Sequence, residues 1–201
     1  MKRLRFVLLL AFNVFLFGCY AVQSPGFYDY PRYQIMGNGT CQPSELSAYL
    51  MEKNTAVSYD RALRLAETYI SESRMEGINY EVAFAQMCHE TGYLTFQGTV
   101  RPEQNNFCGL GTVDNSTQGA YFPTMEEGVR AHVQHLKAYA STAPLNNAQV
   151  DPRFHLVSRG TAPNVQALTG RWATDPEYGS RLMKIVDNLC PGSRPEQIEY
   201  R

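Results

Sequence analysis

The chain has 201 residues and a mass of 22.7 kDa, a length that fits one domain with a core of ordinary size. It is 44% hydrophobic and 18% charged, and its formal net charge is −1 at pH 7. This composition excludes a disordered chain, a coiled coil and a collagen-like repeat, and it lacks the basic field that general nucleic-acid binding needs.

The N-terminal segment predicts an exported lipoprotein. Basic residues precede an apolar run, 6–17, which is too short to span a bilayer but suits the core of a signal peptide. Gly18 followed by Cys19 resembles a bacterial lipobox, so we expect residues 1–18 to be removed and Cys19 to carry lipid. The expected location is the cell envelope, at the outer membrane or the periplasmic face in a Gram-negative source. The alternative is an ordinary secretory signal with a chance cysteine.

The remainder divides into three parts. Residues 19–40 contain turn signals without a sustained period and are predicted to form a flexible tether. Residues 41–190 are predicted to fold as one domain, a monomer, and 191–201 form a C-terminal tail.

Four cysteines follow Cys19, and an even number in an exported protein favours disulfides. Because the ends of a domain often lie close together, we expect Cys41 to pair with Cys190, and therefore Cys88 with Cys108. Buried free thiols are the alternative. No CxxC spacing indicates zinc, and neither a metal nor a cofactor is expected.

The domain is predicted to be α+β and mostly helical, with a short β-hairpin. Periodicity, capping residues and breakers place helices from Pro43 to Lys53, from Ser58 to Gly77, from Asn79 to Gly92, from Thr124 to before Pro144, from about Asn164 to Trp172, and from Asp175-Pro176 through Leu189. Between them, residues 93–123 carry four glycines among short runs of Thr, Val, Phe and Tyr, which predicts a loop followed by the hairpin.

Glu90 is the residue best suited to acid catalysis. It lies in the last turn of the apolar third helix, where both burial and the helix dipole favour the neutral carboxyl group. A carboxylic acid that stays protonated near neutral pH is what a general acid requires. The alternative is a surface carboxylate on a fraying helix end.

A second unusual segment follows at 102–111, where paired amides precede Gly109-Leu110-Gly111. Amides and aromatic rings together suit a sugar, because hydroxyl and N-acetyl groups bond to amides and ring faces stack on Tyr or Phe. A structured turn would explain the same residues.

These motifs resemble the bacterial glucosaminidase family, glycoside hydrolase family 73, whose members are similar to lysozymes around the catalytic helix. The resemblance rests on Glu90-Thr91-Gly92-Tyr93, on Asn105-Asn106 followed by Gly109-Leu110, on 121–128, on Asp151-Pro152-Arg153-Phe154 and on 172–179, in that order. It covers about Gln34 to Cys190.

The resemblance implies a lysozyme-like domain that hydrolyses the β-1,4 bond between N-acetylglucosamine and N-acetylmuramic acid in peptidoglycan. By position, Glu90 corresponds to the general acid and Tyr178 to a tyrosine that assists catalysis. The implied substrate-binding residues line the cleft or stack on sugars: Tyr93, Asn106, Phe107, Gly109, Tyr121 and Phe122.

The second catalytic carboxylate is where the chain departs from the family. Asp114 is the only acid between Thr112 and Ala120, so it is the candidate for this role. A one-carboxylate mechanism assisted by the substrate N-acetyl group is the alternative.

Other conspicuous residues have ordinary explanations. His132 and His135 are expected to be core or surface histidines rather than zinc ligands, Trp172 to be core, and Arg153 to make a structural contact. Two other function classes stay open: a muramidase or lytic transglycosylase, and a non-catalytic module that binds peptidoglycan.

Overall fold

Five α-helices form the framework of the domain in the computed structural model, which describes residues 31–112 and 118–192. They are α1 (Pro43–Lys53), α2 (Tyr59–Glu76), α3 (Tyr80–Glu90), α4 (Met125–Ala140) and α5 (Tyr178–Asn188). Single 3-10 turns lie at Pro31–Tyr33, Pro102–Gln104, Phe154–Leu156 and Gln166–Leu168. The prediction of a mostly helical domain is confirmed.

The capping residues explain where the helices begin. Side chains of Ser58, Asn79 and Thr124 each accept a hydrogen bond from a backbone N–H of the first helical turn. Gly77 ends α2 in the left-handed conformation, with φ of 72°. The short helix expected from about Asn164 to Trp172 is reduced to the 3-10 turn Gln166–Leu168.

Helix α3 lies at the centre of the fold. Every residue from Tyr80 to Cys88 is buried, and the helix packs against α2, α4 and α5. Helix α2 in turn packs against α1 and α4. The C-terminal end of α3 therefore emerges where the α4 and α5 sides of the molecule meet.

The predicted β-hairpin is not confirmed. The described parts of 93–123 contain no strand, and the bridges found elsewhere in the described chain are isolated pairs. Side-chain amides take the place of a strand ladder here: Gln104 donates to the carbonyls of Gly119 and Ala120, and Asn105 donates to the carbonyl of Phe122. These side-chain bonds satisfy backbone groups that a hairpin would pair with each other.

One of the two expected disulfides is present. Cys41 and Cys190 are bonded, with 5.7 Å between their Cα atoms, and they join the two ends of the domain. The expected bond between Cys88 and Cys108 is wrong, because both are free and buried. The physical reason is packing: Cys88 lies in the main hydrophobic core, whereas Cys108 belongs to a separate small cluster with Leu110, Phe122 and Ala131.

The segment 31–40, expected to be part of the tether, packs against the domain instead. Ile35 is fully buried, and its backbone bonds to Asn79 and Pro163. Cys19, the predicted signal peptide, the first part of the tether and residues 193–201 lie outside the described residues. Within the described residues, no helix combines the length and the apolar character needed to cross a membrane.

Candidate active site

Glu90 is the last residue of α3 and is partly buried there. Burial raises the pKa of its carboxyl group above the ordinary value, while hydrogen bonds from Tyr178 and Trp172 act in the opposite direction. The net direction is upward, so the neutral acid is favoured over a wider pH range than for an exposed glutamate. This agrees with the behaviour predicted from its place at the helix end.

Tyr178 holds the Glu90 carboxyl group in place. It is the first residue of α5, it is 2% exposed, and its hydroxyl donates to Glu90 Oε1. Burial raises the pKa of Tyr178 well above its ordinary value, and the charge of Glu90 raises it further. The phenol therefore keeps its proton and can act only as a neutral donor to Glu90.

A chain of buried hydrogen bonds continues behind Tyr178. Gln86 Nε2 donates to the Tyr178 hydroxyl at 2.7 Å, and Gln86 Oε1 lies 2.9 Å from His132 Nε2. His132 Nδ1 lies 2.9 Å from the Tyr69 hydroxyl. Because Gln86 Oε1 can only accept, His132 Nε2 carries the proton and Nδ1 accepts from Tyr69. Every donor in the chain thus points toward Glu90.

His132 stays neutral in this chain. Burial lowers its pKa to about 3, and the nearby His135 contributes in the same direction. The expectation that His132 is a core histidine agrees with its position. Its place in the chain of hydrogen bonds also makes it a support for the contact between Tyr178 and Glu90.

A cavity of about 300 Å³ opens beside Glu90. Its walls come from the segment after the paired amides, from α4, from the 153–157 segment and from the stretch before α5. The lining residues are Glu90, Cys108, Gly109, Leu110, Gly111, Thr112, His135, Tyr139, Arg153, Leu156, Val157, Trp172 and Ala173. A concave wall of aromatic and polar side chains around one acid of raised pKa can hold a sugar and donate a proton to it.

The predicted substrate-binding residues fall into two groups, those that line the cavity or are exposed and those that are buried. Gly109 lines the cavity, Tyr121 is 65% exposed, and Tyr93 is partly exposed against Tyr49. Phe107 and Phe122 are 1% and 4% exposed, so neither presents a ring face on which a sugar could stack.

Asn106 supports the cavity wall from behind. It is buried, its Nδ2 donates to the carbonyls of Leu110 and Ala120, and its Oδ1 accepts from the Leu110 backbone N–H. It thereby shapes the backbone of Gly109 to Gly111. Asp114 lies outside the described residues.

The sequence interpretation missed three lining side chains. Trp172, expected in the core, lines the cavity, and its side chain acts to lower the pKa of Glu90. His135 and Arg153, both given ordinary structural explanations, also line it. Arg153 and Trp172 lie within the motifs at 151–154 and 172–179, whereas His135 lies in no motif. Neither periodicity nor spacing distinguishes a cavity residue from a core residue.

Comparisons with known proteins agree with this geometry. The profile of the Glucosaminidase family, described as mannosyl-glycoprotein endo-beta-N-acetylglucosaminidase, matches residues 66–190, more than half of the chain. An uncharacterized protein of Borreliella burgdorferi is 45% identical over 155 residues, which cover 77% of this chain and 76% of that protein.

Among solved structures, the chain resembles Staphylococcus aureus autolysin E, crystallised in complex with the muropeptide NAM-L-Ala-D-iGlu. The TM-score is 0.52 at 13% sequence identity, and the match covers 80% of this chain and 72% of the autolysin chain. At this identity the likeness concerns the fold. The lysozyme-like arrangement expected from the sequence is similar to the fold of this autolysin.

Proposed function

The chain belongs to the glucosaminidase family of glycoside hydrolases, and from this membership we propose that it cleaves the β-1,4 bond between N-acetylglucosamine and N-acetylmuramic acid in peptidoglycan. The observation that carries the proposal is Glu90, an acid of raised pKa at the edge of a cavity of sugar-binding size. The muropeptide bound by the structurally similar autolysin E supports the substrate class.

Glu90 is the general acid in this proposal. Its proton passes to the glycosidic oxygen as the bond to the leaving sugar breaks, and positive charge develops at C1 of the retained sugar. Tyr178, which donates to Oε1, orients the carboxyl group and stabilises the carboxylate that the reaction leaves behind. The neutral chain through Gln86 and His132 keeps that hydroxyl pointed at Glu90.

The other half of the reaction has two routes. Asp114 activates water or stabilises the oxocarbenium-like transition state in a two-carboxylate route; in the other, the N-acetyl group of the substrate assists. Glu90 is the one carboxylic acid among the described residues that line the cavity. This favours keeping a muramidase or lytic transglycosylase, a class that can use a single glutamate, as the second candidate function.

Analysis of the released ends tests the proposed bond. Purified peptidoglycan is digested with the full chain, the products are reduced with borohydride, and their masses are measured. Reduced N-acetylglucosamine ends are the expected result. Reduced muramic acid ends would indicate a muramidase, anhydromuramic ends a lytic transglycosylase, and the absence of any new end a binding module.

The family places the activity outside the cytoplasm, where cell-wall glycans are found. Lipid on Cys19 would hold the domain at a membrane surface of the cell envelope, within reach of that substrate. Fatty-acid labelling should be lost in Cys19→Ser, and labelling that persists in this variant would reject the anchor.

A further inference from the structure

The cavity wall contains a histidine and aspartate pair that the proposed acid step does not use. His135 Nδ1 lies 2.8 Å from Asp151 Oδ2, and the Asp151 side chain is fully buried. The His135 side chain is 10% exposed, and this residue lines the same cavity as Glu90. A polar ring therefore reaches the cavity with a buried carboxylate directly behind it.

The pair is held rigidly. Asp151 Oδ1 accepts from the Arg153 backbone N–H at 2.8 Å. Gln134, on α4 beside His135, accepts from the backbone N–H groups of Val150 and Asp151 through its Oε1. These bonds fix the segment that carries Asp151 onto the helix that carries His135.

This geometry determines which ring nitrogen is free. A carboxylate only accepts hydrogen bonds, so Nδ1 of His135 carries a proton, and in the neutral ring the lone pair is on Nε2. Among residues 31–112 and 118–192, no group hydrogen-bonds to His135 Nε2. Because Nδ1 is bonded to the buried Asp151, Nε2 is the ring nitrogen of His135 that is left for a group in the cavity.

Trp172 connects this pair with Glu90. Its ring lies 5.1 Å from that of His135, edge to face, and Trp172 lines the same cavity as Glu90. His135 also packs edge to face on Tyr139, with 5.5 Å between the ring centroids. Glu90, His135 and Trp172 thus line the same cavity.

Resting on the proposed function, we propose that His135 is the general base of the reaction and that Asp151 is its positioning residue. The C1–O bond to the leaving sugar breaks, and the proton of Glu90 goes to that oxygen. A new bond forms from C1 to a water oxygen, and the proton of that water goes to His135 Nε2. Asp151 stabilises the resulting imidazolium, which then releases its proton to solvent, and Glu90 takes up one proton from solvent. Histidine is the residue most often used for such a proton transfer.

Azide tests the base directly, because it attacks C1 without needing a proton acceptor. His135→Ala should lower turnover of peptidoglycan by about 10²-fold or more. Added azide should restore part of the activity and give a glycosyl azide product that mass spectrometry detects. A histidine with only a packing role would give no such rescue.

Two further variants keep the test independent of folding defects. His135→Asn retains an N–H near the Nδ1 position for Asp151 but has no counterpart of Nε2, so it should melt like the wild type and remain inactive. Asp151→Asn should lower kcat on soluble glycan fragments while KM stays near the wild-type value. The matched control is His155→Ala, which removes an exposed histidine that does not line the cavity and should leave turnover unchanged.

Two outcomes would overturn the assignment: near-wild-type turnover by His135→Asn, or a loss of activity in His135→Ala that azide does not reverse. Azide rescue of Asp114→Asn in place of His135→Ala would assign the base to Asp114. Failure of the proposed function itself is distinguishable, since the wild-type chain would then release no new N-acetylglucosamine ends from peptidoglycan.

Discussion

Two opposing effects act on the carboxyl group of Glu90. Burial raises its pKa, whereas the hydrogen bonds from Tyr178 and Trp172 stabilise the charged form and lower it. A general acid must hold its proton in the resting enzyme and leave a stable carboxylate after transfer, so both effects are useful. Removing the hydroxyl of Tyr178 weakens the hydrogen-bond effect on the Glu90 pKa and leaves the burial effect in place.

Tyr178→Phe should therefore move the pH profile in a definite direction. Loss of the hydroxyl removes a bond that favours the carboxylate, so the pKa of Glu90 rises further. The alkaline limb of kcat/KM, which follows deprotonation of the general acid, should shift to higher pH. The maximal kcat should fall because the carboxyl group loses its positioning donor.

The pH dependence of kcat/KM for wild type and variant measures this shift. Tyr59→Phe, which changes an exposed tyrosine at the start of α2, is the control and should keep the wild-type profile. An alkaline limb that stays in place or moves to lower pH in Tyr178→Phe would contradict the assignment of Glu90 as the acid.

At the scale of elements, the local sequence predicts the helices well, whereas it predicts the segments that connect them poorly. Caps at Ser58, Asn79 and Thr124 act within one turn of the chain, so the sequence alone indicates them. Helix α5 begins at Tyr178 rather than directly after Asp175-Pro176, because Asp175 Oδ1 first accepts from the Glu177 backbone N–H in a separate turn. This offset makes Tyr178 the first residue of α5.

The hairpin prediction is not confirmed in the described residues, where tertiary contacts determine the conformation. A Cβ on Gly128 would lie 1.8 Å from the Asn105 carbonyl oxygen, so α4 and the turn around Asn105 are in close backbone contact. Phe122 is buried in a small cluster with Cys108. Neither contact leaves a periodic pattern in the sequence, and both disfavour an independent hairpin within 93–123.

The composition of the cavity wall could not be predicted for the same reason. Trp172 and His135 are 37 positions apart, and only the packing of the stretch before α5 onto α4 brings their rings together. Glu90 was predictable because its unusual environment, an apolar helix that ends in a glycine turn, is local.

At the scale of the whole molecule, the disulfide between Cys41 and Cys190 links the two ends of the domain. This disulfide joins positions 149 residues apart, which restricts the unfolded chain strongly. A loop of this length corresponds to about 5 kcal/mol of stabilisation in the chain-entropy account. The proximity of the domain ends was a sound basis for that pairing, whereas the second pairing followed only by elimination.

Reduction should therefore lower the melting temperature by roughly 10–20 °C, as expected for about 5 kcal/mol in a domain of this size. The Cys41→Ser/Cys190→Ser double variant should melt at the temperature of the reduced protein and should not respond to reductant. Alkylation of the denatured, unreduced chain should modify Cys88 and Cys108 and spare Cys41 and Cys190. A peptide that links Cys88 to Cys108 would contradict this arrangement.

Turnover of purified peptidoglycan by Glu90→Gln tests the central claim most directly. The amide keeps the size and polarity of the side chain, and it can still accept from Tyr178, but it has no acidic proton for the leaving oxygen. Turnover, measured as new reducing ends, should fall by about 10²-fold or more, while binding to the insoluble wall is retained. Turnover near the wild-type level in Glu90→Gln would contradict the account.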